Sequence, residues 1–221
     1  MVVKRWARNR PFAFFYVSSV FSIVLGDKCD HYSFCDRPHA AHVHMGNFEF
    51  GETFEGKSCV ATQARAASFS LMTLNNSHAN GTITTSVAVD NNDYTAAVGA
   101  RLEKTDYDLD TSVCRGYTGY WCYIKAETSS EGRTVPVTLE MKKCGTTSMT
   151  SLTKGDFTYA STDLDTFAWY DLKFQLIGNH LACKLLHYSD RGSDDYLASI
   201  ETSDNDFTEV GISLIIFIFI I

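Results

Sequence analysis

The stretch from residue 106 to residue 120 carries the side chains best suited to hold a ligand. Aromatic rings can stack on the apolar face of a sugar, and planar polar groups can bond neighbouring hydroxyls in pairs. Binding residues concentrate on loops that a rigid scaffold positions. The sequence therefore predicts a ligand-binding loop formed by Tyr107, Arg115, Tyr117 and Tyr120. The alternative is that these tyrosines only cover the hydrophobic core.

Three carboxylates alternate in the same stretch, at Asp106, Asp108 and Asp110. In an extended loop they can point the same way and offer the oxygen ligands that Ca²⁺ prefers. The glycine and glutamate that an EF-hand loop needs at its sixth and twelfth positions are missing, which excludes that motif. These three residues are candidate Ca²⁺ ligands, and the alternative is a solvated acidic loop.

The sequence contains no familiar catalytic pattern. Glycoside hydrolysis needs two carboxyl groups on either side of the scissile bond. Glu49, Glu52 and Glu55 are close together, but a spacing of three does not put all of them on one face of a strand. The Gly-x-Ser-x-Gly motif of serine hydrolases does not occur either. We therefore predict no catalytic residue.

The composition is that of a globular protein. The 221 residues are 45% hydrophobic and 20% charged, with a formal net charge of −7. This supports one sizeable core and argues against a disordered chain. No block rich in lysine or arginine is present, so we do not expect a nucleic-acid partner.

Residues 1–26 have the three parts of a secretory signal peptide. Four positive charges without an acid precede an apolar run, and the run ends in the small residues Val24 and Gly26. Serines interrupt the run, and it is shorter than the roughly 20 residues that span a bilayer, so we do not expect a membrane span. Cleavage would remove four positive charges and no negative one, changing −7 to −11. We expect a secreted protein, with the lysosome as the alternative destination and an uncleaved anchor as the alternative role.

Secretion favours disulfides over metal thiolates as the role of the seven cysteines, all of which follow residue 26. The local candidates are the pair Cys29 and Cys35 and the pair Cys114 and Cys122. The sequence alone does not choose among the possible pairings, and an odd number leaves one thiol over.

Two sites fit the N-glycosylation sequon, Asn75-Asn76-Ser77 and Asn80-Gly81-Thr82. Both lie in a polar stretch typical of a surface turn. We expect a glycan on at least one of them, as in many secreted proteins.

From about residue 68 onward the hydrophobic pattern has a period of two. Tyr170, Leu172, Phe174 and Leu176 alternate with polar residues, and Gly178-Asn179 supplies a two-residue hairpin turn. Similar runs cover residues 82–89, 96–102, 120–126, 135–142, 181–185 and 196–200. No helical stripe appears there, and only residues 61–67 could form a short helix. The pattern predicts an all-β protein, with an antiparallel β-sandwich over residues 68–221 after an irregular lead-in segment over residues 27–67.

The C-terminus departs from this pattern. Residues 211–214 are typical of a final strand, but residues 215–221 contain no polar side chain. Such a run is an aggregation hazard if it is exposed, and it is too short to cross a membrane. We interpret it as an incomplete or misread end.

The order of elements over roughly residues 68 to 214 resembles the concanavalin A-like, laminin G-like jelly rolls. The resemblance rests on VGARL at 98–102, GYWCYI at 119–124, a turn at 152–155, WYDLK at 169–173, GNHL at 178–181 and a closing segment at 207–214. Within that superfamily, Ala100-Arg101, Arg115-Gly116 and Gly119-Tyr120-Trp121 are most similar to the C-terminal lectin domain of galactocerebrosidase. The resemblance implies a jelly-roll sandwich that binds carbohydrate.

Two departures limit what this resemblance implies. Galactocerebrosidase carries its catalytic carboxylates in a barrel before the lectin domain, and residues 1–67 stand in that place here. Such domains also usually end in a strand with an Asp-Asn pair that helps to hold calcium, and residues 215–221 occupy that position. The first departure implies that the hydrolytic machinery is absent, and the second puts calcium binding in doubt.

The sequence therefore predicts a secreted, non-catalytic, lectin-like domain that binds carbohydrate or glycolipid. One alternative is an accessory or truncated lectin domain of a galactocerebrosidase-like glycosidase. The other is an extracellular adhesion module that binds protein.

Overall fold

The computed structural model describes residues 16–17, 21–25, 28–32, 41–45, 48–54, 57–63, 69–75, 79–89, 94–105, 116–126, 134–160, 168–187, 196–208 and 213–220. These residues form β-strands and their turns, and all their strand pairs are antiparallel. The prediction of an all-β antiparallel sandwich is confirmed. Within these ranges, no helix is long and apolar enough to cross a membrane.

The larger sheet has nine strands among the described residues. They are β1 (Tyr16–Val17), β2 (Phe21–Leu25), β3 (Lys28–Tyr32), β5 (Phe48–Phe54), β6 (Lys57–Gln63), β8 (Gly81–Val89), β13 (Ala168–Ile177), β14 (His180–His187) and β15 (Ala198–Ser203). Their order is β15-β14-β13-β8-β1-β6-β5, and β2 pairs with both β8 and β3.

The smaller sheet has seven strands in the same part of the chain. They are β4 (Ala41–Met45), β7 (Phe69–Asn75), β9 (Tyr94–Lys104), β10 (Tyr117–Ala126), β11 (Thr134–Cys144), β12 (Met149–Ala160) and β16 (Ser213–Ile220). Their order is β12-β11-β10-β9-β16-β7-β4.

The core lies between the two sheets. A disulfide joins Cys122 of β10 to Cys183 of β14, which identifies the sides of the two sheets that face each other. Phe174 lies opposite Cys183 in the register, and both are fully buried. Residues of the same parity in β13, including Leu172 and Leu176, are buried as well. The strict alternation in this strand therefore positions the core as the sequence predicted.

Three sequence expectations need correction. Residues 152–155 are not a turn but lie inside β12, whose register with β11 shifts once, at Leu152. Residues 61–63 belong to β6 rather than to a short helix. Cys122 pairs with Cys183, 61 residues away, rather than with Cys114, because β10 and β14 face each other across the core.

The apolar C-terminal run forms a central strand. Strand β16 pairs with β7 on one side and with β9 on the other, where Ile216 lies opposite Met72 and Val98. Residues 215–219 are paired on both backbone edges, so this part of the run does not present the free edge that makes an apolar strand an aggregation hazard.

The N-terminal strands fall in regions that the sequence assigned differently. Strands β1 and β2 lie within the predicted signal peptide, and β3 to β6 lie within the predicted lead-in segment. The signal peptide and the boundaries of 1–26, 27–67 and 68–221 remain predictions.

Candidate functional site

A cluster of polar side chains gathers where the turn between β13 and β14 meets the end of β15. We call it the rim cluster. Its members are contributed by five strands or the residues next to them, and they are Asn80, Arg101, Tyr120, Lys143, Asp204 and Asp206.

Arg101 enters the rim cluster because of a β-bulge. The register between β9 and β10 shifts between Thr118 and Tyr120, and Arg101 itself has a φ of 52°. Gly119 lies within this shift and has a φ of 134°, a backbone conformation that glycine adopts readily and that other residues rarely adopt. Bulges of this kind re-aim a side chain. The fully buried guanidinium donates from Nε to the Ala79 carbonyl oxygen at 2.7 Å and from Nη2 to Asn80 Oδ1 at 3.1 Å.

Asn80 links Arg101 to the neighbouring hairpin turn. Its Oδ1 also accepts a hydrogen bond from the backbone N–H of Gly178 at 2.7 Å. Next to that turn, the N–H of Asp204 donates to the Asn179 carbonyl oxygen at 2.9 Å. These bonds tie the start of β8, the β13–β14 turn and the end of β15 together.

Tyr120 is the buried centre of the cluster. Its hydroxyl donates to Asp204 Oδ1 at 2.5 Å and accepts from the Phe207 N–H at 3.2 Å. The Tyr120 and Phe207 rings meet edge to face, with centroids 5.2 Å apart. Burial, and then the hydrogen bond to Asp204, raise the pKa of Tyr120 to about 12. The phenol is therefore neutral over the physiological range.

Lys143 and Asp204 form the charged side of the cluster. Lys143 Nζ lies 2.6 Å from Asp204 Oδ2 and 2.8 Å from Asp206 Oδ2, and these hydrogen bonds raise the pKa of Lys143. Burial acts to raise the pKa of Asp204, but hydrogen bonds from Lys143, Tyr120 and the Asp206 N–H outweigh it and lower that pKa. Each shift moves titration away from neutral pH. The cluster therefore acts as a fixed clamp between loops rather than as a proton donor or acceptor near pH 7.

A second polar group lies on the outer side of the larger sheet, away from the core. The register places Lys173 opposite Lys184, Gln175 opposite Ala182, and Ala182 opposite Glu201. Their neighbours along the strands are the buried core residues. We call this surface the polar patch, and its members are Lys173, Gln175, His180, Lys184, Tyr196 and Glu201.

The polar patch has Lys184 at its centre. Lys184 Nζ lies 4.8 Å from the centroid of the Tyr196 ring and 3.5 Å from Glu201 Oε1. The other oxygen of Glu201 lies 3.7 Å from His180 Nε2. The side chains of His180 and Glu201 are 44% and 49% exposed, so these contacts leave their polar atoms open to solvent.

Two members of the polar patch have no polar partner among the residues that the structure describes. Within the described residues, the side chains of Lys173 and Gln175 make no hydrogen bond or ion pair, and both are half-buried. The patch thus offers an uncommitted amide and an uncommitted ammonium beside an exposed carboxylate and a tyrosine ring. This is the donor and acceptor set that hydroxyl groups require.

Of the four residues predicted to bind a ligand, the structure describes two, Tyr117 and Tyr120. Tyr117 and Tyr120 are only 5% and 1% exposed, which favours the alternative that they belong to the core. Burial alone raises the pKa of Tyr117. Tyr107 and Arg115 lie outside the described residues, so their role remains a prediction.

Only some of the residues predicted to bind metal, to carry glycan or to form disulfides are among the described residues. Asp106, Asp108 and Asp110 lie outside them, and within them no group of three or more His, Cys, Asp or Glu could hold a metal ion. Asn75 ends β7, and Asn80 is exposed directly before β8.

Cys144 is disulfide-bonded, as are Cys122 and Cys183. Cys35 and Cys114 lie outside the described residues, and Cys29 is described only as part of β3. The pairing of Cys29 with Cys35 remains a prediction.

Sequence reasoning missed the polar patch, although part of its signal was visible. The alternation in β13 places Lys173 and Gln175 on the solvent side, but their pairing with β14 and β15 follows only from the register. The rim cluster had no local signal, since Asn80, Arg101 and Asp204 are brought together from distant parts of the chain.

No protein-family model matches the chain, and no curated protein matches it. Solved structures that it resembles include the CBM2 module of the Lactobacillus casei BL23 phage J-1 evolved Dit, at 11% identity and a TM-score of 0.39, over 91% of this chain and 88% of that one. The kappa-carrageenase of Pseudoalteromonas carrageenovora matches at 8% identity and a TM-score of 0.35, over 93% of this chain and 65% of that one.

A legume lectin-like domain from Entamoeba histolytica matches at 12% identity and a TM-score of 0.32, over 80% of each chain. Similarity at this level does not establish a shared family or activity. The fold assignment rests on the strands and pairings of the chain itself, and the resemblance to galactocerebrosidase stays a prediction.

Proposed function

We propose that this protein is a non-catalytic, lectin-like domain that binds carbohydrate, either free or as a glycolipid headgroup, through the polar patch. The observation that carries the proposal is the group of solvent-facing, partly uncommitted polar side chains around Lys184 on the outer side of the larger sheet. Sugar hydroxyls are bound by planar groups that accept and donate in pairs. Glu201 can accept such bonds, and Gln175 can both donate and accept.

Tyr196 supplies the apolar component of the proposed site. Carbohydrate recognition usually joins hydrogen bonds to an aromatic surface, because one side of a sugar ring is lined by C–H groups. Tyr196 is half-buried and held by the Lys184 ammonium above its ring. We infer that the ring edge and uncovered face meet the sugar while Lys184 keeps the ring in place.

Secretion is part of the same proposal. The disulfide between Cys122 and Cys183 forms and persists most readily in an oxidising compartment, such as that reached by secreted or lysosomal proteins. The predicted signal peptide at residues 1–26 and the exposed sequon at Asn80 agree with this destination.

A glycan-array screen tests the proposal. The purified protein is compared with Glu201→Ala and Tyr196→Ala, and with Glu103→Ala as a matched control, because Glu103 is an exposed glutamate on the other sheet. We expect selective binding that the two patch variants lose and the control keeps. Circular dichroism confirms that each variant is folded.

The array also tests the predicted loop. A Tyr107→Ala, Arg115→Ala double variant is measured with and without Ca²⁺. Tyr117 is left unchanged, because substituting a buried tyrosine would affect folding as well as binding. Loss of binding in that variant alone would move the site from the polar patch to the loop. A Ca²⁺ requirement would support Asp106, Asp108 and Asp110 as ligands. No binding by folded wild-type protein would contradict the carbohydrate proposal altogether.

Liposomes separate the two sources of the sugar. Binding to soluble oligosaccharides and to the same headgroup on a lipid would identify a carbohydrate ligand in general. Binding only to glycolipid-containing vesicles would identify a membrane-displayed ligand.

A further inference from the structure

Among the described residues, strand β12 lies at one of the two edges of the smaller sheet. It spans 12 residues, and within the described part of the chain its only ladder partner is β11. Thr150, Ser151, Lys154 and Asp156 along it are exposed. An edge strand presents unpaired N–H and C=O groups that can pair with another chain. β12 contains no proline, and its register with β11 is regular from residue 153 to residue 160, so this part of the edge can pair with another strand.

The charges on this edge are arranged in a self-complementary way. Lys154 and Asp156 are two residues apart, so they share one face of the strand with Gly155 between them. Their side chains are 52% and 66% exposed, and Lys154 Nζ lies 3.3 Å from Asp156 Oδ1. Thr138 of β11 donates a hydrogen bond to Asp156 at 2.7 Å and holds the carboxylate in place.

We propose that two copies of this chain pair through β12, as an antiparallel dimer with its two-fold axis at Gly155. In that register Lys154 of each copy lies directly opposite Asp156 of the other, which gives two favourable cross-strand pairs. Gly155 meets its own copy at the axis, where it adds no side chain between the strands.

The neighbouring registers are disfavoured by the same two residues. A two-fold axis at Lys154 places two ammonium groups opposite each other, and an axis at Asp156 places two carboxylates opposite each other. Like charges directly opposite are destabilising. The spacing therefore selects one register among those that keep the sheet faces aligned. This inference does not depend on carbohydrate binding.

Charge-exchange variants of the full chain test the dimer. Sedimentation velocity over a range of concentrations should show a monomer–dimer equilibrium for the wild type. Lys154→Asp and Asp156→Lys should each raise the dimer dissociation constant about tenfold or more, because each replaces two attractive pairs with two repulsive ones. Lys104→Asp, at an exposed lysine of β9, is the matched control and should leave it unchanged.

A mixture of the Lys154→Asp and Asp156→Lys variants tests the register most directly. One copy then carries two acidic residues and the other two basic residues at the paired positions, so a mixed dimer regains both favourable pairs. Recovery of the wild-type dissociation constant supports the register. A wild type that remains monomeric, single variants that dimerise normally, or a mixture that stays monomeric would each overturn the proposal. If the wild type remains monomeric, Lys154 and Asp156 instead prevent pairing of this edge with another chain.

Discussion

At the scale of single residues, Arg101 shows how local backbone geometry places a charge inside the protein. The bulge and a φ of 52° turn its guanidinium toward Ala79 and Asn80, where it is fully buried. Burial lowers the pKa of Arg101, and the nearby Tyr120 acts in the opposite direction. Its Nη1 has no hydrogen-bond partner within the described residues, so the two bonds from Nε and Nη2 must offset its desolvation.

We predict that Arg101→Met destabilises the protein by about 2 to 3 kcal/mol. The substitution keeps much of the buried volume but removes two hydrogen bonds from a charged donor, together worth about 3 kcal/mol or more. Part of this loss is offset because the unpartnered Nη1 no longer has to be desolvated. Chemical unfolding measures the difference. Lys104→Met, at an exposed lysine in the same strand, should change the unfolding free energy by less than about 0.5 kcal/mol. Equal effects would mean that the clamp adds no stability.

A second prediction concerns pH. The folded pKa of Asp204 lies below its unfolded value of about 3.9, so its stabilising contribution is complete above that value and is lost as pH falls through the folded pKa. The difference in unfolding free energy between the wild type and Asp204→Asn should be constant from about pH 5 to 8 and shrink below about pH 4. Asp206→Asn should show a smaller difference throughout, because its carboxylate is 62% exposed. A wild-type advantage that does not shrink as the pH falls below about 4 would contradict this account of the clamp.

At the scale of elements, the close approach of β9 and β10 depends on a glycine. Gly99 lies opposite Trp121, and a Cβ built on Gly99 would lie 2.7 Å from Trp121 Cε3 and 2.8 Å from Leu102 Cδ1. Trp121 is 1% exposed, so its ring cannot move aside freely. The tryptophan therefore belongs to the packing of these strands.

We predict that Gly99→Ala costs about 1 to 3 kcal/mol of stability through overpacking. Gly145→Ala is the matched control, since the nearest atom to its built Cβ is 3.7 Å away. Thermal unfolding of both variants measures the contrast. Equal melting temperatures would show that the Trp121 ring relaxes without cost.

Some strands could be predicted from the sequence pattern and others could not. Strands β8, β13 and β14 were predictable because apolar residues occupy their core-facing positions and mostly polar or small residues occupy the positions between, which produces alternation. Strand β12 was missed because an edge strand rich in threonine and serine has little apolar alternation to detect. Strand β16 was predicted only in part, because the apolar run after residue 214 shows no period-two alternation. A hydrophobic pattern therefore identifies a strand only where apolar and polar positions alternate along it.

At the scale of the whole molecule, contacts between distant residues decide the site. Glu201 and Gln175 lie on the same face of the larger sheet, on either side of Ala182, only because β13, β14 and β15 are consecutive there. No local spacing in the sequence encodes this arrangement. In contrast, the sandwich as a whole was predictable, since regular short strands separated by polar turns leave few other architectures.

The cross-link between the sheets gives a prediction at this scale. Cys122 and Cys183 close a loop of 61 residues, and restricting the unfolded chain to this extent is worth about 4 kcal/mol in the chain-entropy model. A Cys122→Ala, Cys183→Ala double variant should lose about 2 to 4 kcal/mol in chemical unfolding. Wild-type stability in the double variant would show that packing alone holds the sheets together.

The most direct test of the central claim is a calorimetric titration with the sugar that binds best on the array. It compares the wild type with Glu201→Ala and with the control Glu103→Ala. We predict that Glu201→Ala weakens binding about tenfold or more, the loss expected for hydrogen bonds to a charged group, and that the control binds as the wild type does. Equal affinity of all three proteins would contradict carbohydrate binding through the polar patch.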